Sequence, residues 1–275
     1  MNAAVEDRWR TLLKHCHADV PGLDGVDIPP IPADLEGLSQ AQALDALERR
    51  YEPLLSVPSD SPRVVAQLGQ SLDGRIATAS GHAEFVTSAA DRTHLHRLRA
   101  LCDGVLVGAG TVVSDNPQLT VRAVTGPNPV RLVHLSRAGM EGHWRVFNDA
   151  QAPTWVIAPP DIRVDIADKR IEPKSNHARD IQQALAASGL KRILIEGGAR
   201  TVSAWLAAGL VDTLYLTIAP VIIGAGPTGL QLPAIEHMDE ALRPGVEVFP
   251  MGPDLLYRLD MTQMPGRLAS RQTTP

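Results

Sequence analysis

The chain has 275 residues, 44% hydrophobic and 21% charged, enough for one large α/β domain with appendages or for two small domains. A net charge of −5, from 26 basic and 31 acidic residues without a basic run, argues against a nucleic-acid surface. Two cysteines, Cys16 and Cys102, are too few for a disulfide framework and fit a reducing cytoplasm.

The first residues have neither the positive start nor the apolar stretch of a signal peptide, and the expectation is a cytoplasmic protein. Residues 1–62 read as an N-terminal extension: a short helix near Trp9, a connection containing Pro21, Pro29, Pro30 and Pro32, then an amphipathic helix over Leu38 to Leu55. Leu38, Ala41, Leu44, Leu47 and Tyr51 recur there at helical spacing, and Ser56 to Pro62 has linker composition.

From residue 63 short apolar runs alternate with helical patterns. Strands are expected at Arg63–Leu68, Gly104–Val107, Val130–Leu135, Thr154–Ala158, Arg192–Ile195 and Thr213–Pro220, with a hairpin near Val246–Phe249 and Leu255–Leu259. Helices fit Ser88–Leu101, with a capping box between Ser88 and Asp91, Arg179–Ser188 and Ala199–Ala208. The alternation predicts a mostly parallel sheet covered on both faces, within a domain over residues 63–264 and before a polar tail over 265–275. The longest apolar run, about Leu214 to Ile223, is too short to span a bilayer.

Two glycine-bearing turns follow expected strands: Gly108-Ala109-Gly110-Thr111 and Glu196-Gly197-Gly198, the second opening the helix through Trp205. Such turns bring backbone close to a phosphate and aim helix N–H groups at it, although each alone also serves ordinary strand-to-helix packing. Val113 stands where a Rossmann fingerprint needs its third glycine. Two turns at strand ends of one sheet favour a cofactor crevice. Asp73-Gly74 by itself reads as a turn, and Asp115 to Arg122 as an Asn-Pro turn ending in a cation.

Taken in order, Ser71-Leu-Asp-Gly-Arg-Ile-Ala77, Arg97-Leu-Arg99-Ala, Gly108-Ala-Gly-Thr111-Val, Asp115-Asn-Pro-Gln-Leu-Thr-Val-Arg122, Ile195-Glu-Gly-Gly198 and Ala219-Pro to Gly224 resemble the reductase domain of the riboflavin deaminase–reductase and the stand-alone pyrimidine reductases. The resemblance covers about residues 63 to 260. It implies a dihydrofolate-reductase-like α/β/α fold, with a mostly parallel sheet and a C-terminal antiparallel hairpin. It also implies a homodimer that binds NADPH and reduces the ribosyl group of a phosphoribosylamino-pyrimidine to ribityl.

By position, the resemblance puts Gln70, Phe85, Gly108, Gly110, Thr111, Asp115 and Ser136 on the cofactor. Gly197 joins these, the run Gly198, Ala199, Arg200, Thr201 to Ser203 would hold its pyrophosphate, and Arg137 neighbours Ser136 as a 2′-phosphate partner. Arg99, Leu119, Arg122 and Glu196 would hold the substrate, with a backbone contact from Ala83 and with Glu196 as the catalytic candidate. Gln67 stands where the bacterial fused enzymes carry Lys, Leu135 where an Asp pairs with the serine, and Asn116 where a second Asp follows the first. Two alternatives keep the same residues: reduction of another heterocycle, or a silent nucleotide-binding module.

Three clusters invite other readings. His82-Ala83-Glu84 matches half of a zinc deaminase motif, but only Cys102 lies downstream. His15-Cys16-His17 reads as a helix end in preference to a metal site, and no metal is expected. His94 and His96 are expected on a partly exposed helix surface, and Cys102 in buried packing.

Overall fold

The computed structural model describes residues 2–17, 33–137, 140, 142–162 and 167–263. The Pro-rich connection and the polar tail expected from the sequence lie outside the described residues. The elements, in chain order, are α1 (Asn2–Cys16), α2 (Gln40–Tyr51), β1 (Arg63–Ser71), α3 (Ala89–Leu101), β2 (Gly104–Gly108), α4 (Ala109–Asp115), β3 (Val130–His134), α5 (Arg145–Asn148), β4 (Thr154–Ile157), β5 (Lys169–Ile171), α6 (Ala178–Ala187), β6 (Arg192–Glu196), α7 (Ala199–Ala207), β7 (Thr213–Ala219), β8 (Gly245–Met251) and β9 (Asp254–Asp260).

The sheet runs β5-β4-β3-β2-β6-β1-β7-β9-β8. Its first seven strands pair in parallel, and β9 and β8 add antiparallel strands beyond β7, which agrees with the expected fold class. Side chains of a strand point alternately to the two faces, and β1 shows the result. Val65 joins a core with Leu98, Leu101 and the extension, whereas Val64 and Ala66 join one with Ile181, Leu185, Val202 and Trp205. Helices α1 to α3 therefore cover one face, and α6 and α7 the other. Each large aliphatic side chain so buried contributes about 1.5–3 kcal/mol relative to exposure.

Helix α2 starts at a capping box, with the Ser39 hydroxyl accepting from the Gln42 amide at 3.3 Å and the Gln42 side chain accepting from the Ser39 amide at 2.9 Å. The box expected at the start of α3 does not form. The Ser88 amide instead donates to Asp254 at 2.8 Å, and the Ser88 side chain makes no cap bond. Asp91 turns inward, where it accepts from Gln67 at 3.0 Å and from Thr217 at 2.5 Å.

Strand order determines where a ligand can bind. After β1 the chain crosses to β2 and runs outward to β5, then returns to insert β6 between β2 and β1. The connections α3 and α7 leave on opposite faces, and this reversal opens a crevice at the C-terminal ends of β2, β6 and β1.

Candidate active site

The two glycine turns meet in that crevice because β2 and β6 are neighbours. Gly197 and Gly198 adopt φ of 70° and 62°, a region that only glycine enters freely. A Cβ on Gly198 would lie 2.9 Å from Thr111 Oγ1, and one on Gly108 would lie 3.0 Å from Thr201 Oγ1. Each turn thus packs against a threonine of the other. The amides of Ala199 and Arg200, at the start of α7, have no carbonyl a turn below them.

Beside the turns lies a groove of about 780 Å³, lined by Gly108, Gly110, Thr111, Ser136, Gly198 and Ala199, with Arg137, Arg200 and Thr201 along its wall. Most of the expected cofactor residues are therefore in one place. Gly197 sits behind them, 3.2 Å from the Thr111 methyl by its Cβ direction. Asp115, one turn beyond Thr111 at the end of α4, is exposed and outside the lining. Gln70 lies near the end of β1 beside Gly229, and Phe85 is 71% exposed at φ 64° with Arg92 over its ring at 5.6 Å. Ala83 is exposed in the same loop.

Ser203 has a structural partner, since its hydroxyl accepts from the Gln231 amide at 2.8 Å. That bond ties the loop carrying Pro227 and Gln231 to α7 as a groove wall. Ile76, His134, Met140, Pro227 and Gln231 also line the groove, and the glycine signals do not point to them. Ile76 alone falls inside a recognised run. Its wall is fastened by Asp73, which accepts the Ile223 and Gly224 amides at 3.1 and 2.7 Å and the Ser71 hydroxyl at 2.6 Å. These bonds pull the Asp73 carboxyl down to about 2.

Next to the groove, under α3, Arg99 grips Glu196. Its Nε donates to Oε2 at 2.7 Å, its Nη2 to Oε1, and its Nη1 to the Thr120 carbonyl at 2.9 Å. Two parallel charge-assisted bonds fix both side chains, and both residues are buried. Gln67 is the register partner of Glu196 on β1 and is held through Asp91. Burial pushes the Asp91 carboxyl up, with Asp254 adding to the rise.

Leu119, buried at φ 56°, and Thr120 bring the chain back under Arg99. Arg122 completes the cluster. Its Nη1 donates to Thr120 Oγ1 at 2.8 Å, and it has no carboxylate within ion-pair distance among the described residues. Desolvation, then Arg99 and Arg145, lower its pKa. The result is a cation with no carboxylate at ion-pair distance among the described residues, beside a paired one, an arrangement suited to a phosphate.

His94 and His96 are both buried, contrary to their expected exposure, because α3 is covered on both sides. His96 Nδ1 accepts the Arg122 amide at 2.9 Å, and burial, with Arg99 and Arg122 nearby, lowers its pKa to about 3. At the other end of the chain, His15 and His17 Nε2 atoms pair with the carbonyls of Leu55 and Ala100 at 2.7 and 2.9 Å. Cys102 is buried as expected, and burial raises its thiol pKa.

The RibD C-terminal domain matches residues 62–254. The chain belongs to this family. A 2,5-diamino-6-ribosylamino-4(3H)-pyrimidinone 5′-phosphate reductase of Methanothermobacter thermautotrophicus is 36% identical over 210 residues, covering 71% of this chain and 96% of the relative. The riboflavin biosynthesis protein RibD of Mycobacterium tuberculosis is 32% identical over 203 residues, 72% of this chain and 54% of the relative. The chain thus spans about half the length of that RibD protein. Among solved structures, an Acinetobacter baumannii RibD superposes with a TM-score of 0.67 at 26% identity, covering 81% of this chain and 64% of the other. The family match begins where the extension ends.

Proposed function

We propose that the chain is a reductase that uses NADPH to convert the ribosyl group of a phosphoribosylamino-pyrimidine to ribityl, as the names of its relatives suggest. One observation carries this reading: a glycine-walled groove, fit for a dinucleotide, opens beside the Arg99–Glu196 pair and the cation of Arg122.

The groove fits the cofactor in shape and chemistry. At Gly110, which lines the groove, a Cβ would meet nothing within 4 Å, and the first amides of α7 face where a pyrophosphate would lie. Ser136, Arg137 and Arg200 line it, and the two arginines are exposed cations suited to a 2′-phosphate. When bound, NADPH supplies a hydride. Everything else falls to the chain. Arg122 holds the ribose phosphate, and the Arg99–Glu196 pair orients the sugar or the pyrimidine edge. The loop through Leu119 closes the site against α3. Thr111, Gly198 and Ala199 would hold the cofactor against a ribosylamine opened to its imine, whose C1′ would accept the hydride and whose nitrogen would take one proton. Glu196, held on both oxygens by Arg99, is the candidate carboxylate beside that step.

Localisation in the cytoplasm is supported by two free, buried thiols, and no described helix is long and apolar enough to cross a membrane. The homodimer is supported by Val246, Val248 and Leu255, which are exposed on the β8–β9 hairpin.

Titration of the chain with NADPH and NADH tests the cofactor reading. NADPH is expected to bind about tenfold or more tighter, and Arg137→Ala to erase most of that preference, because a charged fork to phosphate is lost. Saturable binding of neither nucleotide overturns the reading. Oxidation of NADPH on addition of a phosphoribosylamino-pyrimidine then tests the substrate.

A further inference from the structure

We infer that the N-terminal extension, which lies outside the RibD family match, is the positioning element of the substrate site, and that Asp34 is its key residue. The inference rests on the proposed reductase reading for its kinetic arm.

Asp34 lies in a short turn of 3-10 helix, Ala33–Leu35, and its side chain is fully buried. Its Oδ2 accepts from Arg50 Nη1 of α2 at 3.1 Å and from Arg97 Nε of α3 at 3.0 Å. One carboxylate thus joins two guanidiniums that are themselves out of water. Aromatic faces relieve the excess positive charge: Arg97 stacks over Trp9 at 4.6 Å and Arg50 over Phe249 at 5.3 Å. The arrangement is costly to break, because removing one member leaves uncompensated buried charge.

Helical geometry connects this triad to the chemistry. Successive residues turn by about 100°, so His94 and Arg97 share one face of α3, while His96 and Arg99 share the opposite one. The outer face meets the extension, where Tyr51 Oη also pairs with His94 Nδ1 at 2.8 Å. The inner face meets the substrate residues, with Arg99 on Glu196 and His96 on the Arg122 amide. Helix α3 is therefore held between the extension and the site.

A second tie is independent of the first. Arg192, the first residue of β6, donates to the carbonyls of Leu54 at 2.7 Å and Cys16 at 3.1 Å. The last residue of that strand is Glu196. Both members of the Arg99–Glu196 pair thus sit on elements fastened to the extension. Among the described residues, the lining of the cofactor groove contains none from the extension. Loss of the tie should loosen the substrate side and leave the cofactor side intact.

The test uses the full chain carrying Asp34→Asn, with Arg97→Gln as a second variant that leaves Asp34 and Arg50 paired. Amide exchange of α3 is expected to speed about tenfold while that of α7 stays within twofold, as local and not global opening requires. NADPH affinity should stay within about twofold while KM for the pyrimidine substrate rises about tenfold and kcat changes less, the pattern of lost binding interactions. A folded variant with unchanged α3 exchange and unchanged KM overturns the inference. So does a parallel rise in α7 exchange and NADPH Kd, which would mark the triad as general stability only. Should Asp34→Asn fail to fold, Arg97→Gln decides by the same readings. If the wild-type chain turns over no such pyrimidine, the substrate reading falls, and the contrast between α3 and α7 exchange still decides the positioning claim.

Discussion

Gly198 and Gly110 sit on neighbouring turns yet make opposite demands. At Gly198 the backbone has a φ of 62° and a Cβ would press on Thr111 Oγ1 at 2.9 Å. A left-handed backbone costs an L-residue about 1–2 kcal/mol before any clash. At Gly110, inside α4, a Cβ meets nothing within 4 Å, and alanine there favours the helix by about 0.5–1 kcal/mol. In urea unfolding, Gly198→Ala is therefore expected to lose stability and Gly110→Ala to hold or gain it. NADPH titration should show weaker binding for Gly198→Ala. Equal stability of the two variants would mean that the crossed glycine–threonine packing is unimportant. The glycines were legible in the sequence because this residue marks places where the backbone must bend or come close. Ile76, His134, Pro227 and Gln231 reach the same groove from separate segments with no local pattern that announces a shared wall.

Helix α3 shows the same limit one level up. Its span was legible in the sequence, but the covering of its faces was not. The Ser88 and Asp91 spacing suggested a capping box, and the β9 strand supplied a better acceptor. Asp254, 2% exposed, takes the Ser88 amide, and Ser88 Oγ reaches only the Met251 carbonyl at 3.4 Å. Asp254→Ala leaves a half-buried donor unpaired and should cost about 1 kcal/mol or more, whereas Ser88→Ala removes one long bond and should cost about 0.5 kcal/mol or less. Urea midpoints of the two variants at neutral pH measure the difference, and the reverse order would restore the local cap. Strand β5 has no counterpart among the expected strands, for a related reason. It has three residues, Lys169, Arg170 and Ile171, at the sheet edge, and Lys169 lies 4.1 Å from the Trp155 ring centroid. A short charged strand carries little of the periodicity that reveals a buried one.

Across the whole molecule, the extension shares one core with the sheet: Trp9, Leu13, Leu47 and Tyr51 cluster with Val65, Leu98 and Val105. The amphipathic stripe of α2 was visible in the sequence, but no pattern within a helix states what covers it. Closing both faces of α3 brought polar groups inside, and acid should expose the consequence. Burial lowers the pKa of His94, of His96 to about 3, and of His134. Each binds its proton more readily when unfolded, so stability is present above about pH 6.5 and falls as pH drops through the window towards the folded values. Asp91, whose carboxyl is raised, has the opposite sign and offsets part of the loss. Asp73, held near 2 by its loop amides, adds a further loss at the acid end. The urea midpoint is expected to be flat from about pH 8 to 7 and to fall steadily below about 6.5. Because Gln also offers an acceptor to the Arg122 amide, His96→Gln should flatten that fall while keeping the loop in place. A wild-type midpoint that stays constant down to about pH 4.5 would mean that these histidines accept protons in the folded chain, and that α3 is less enclosed than its contacts imply.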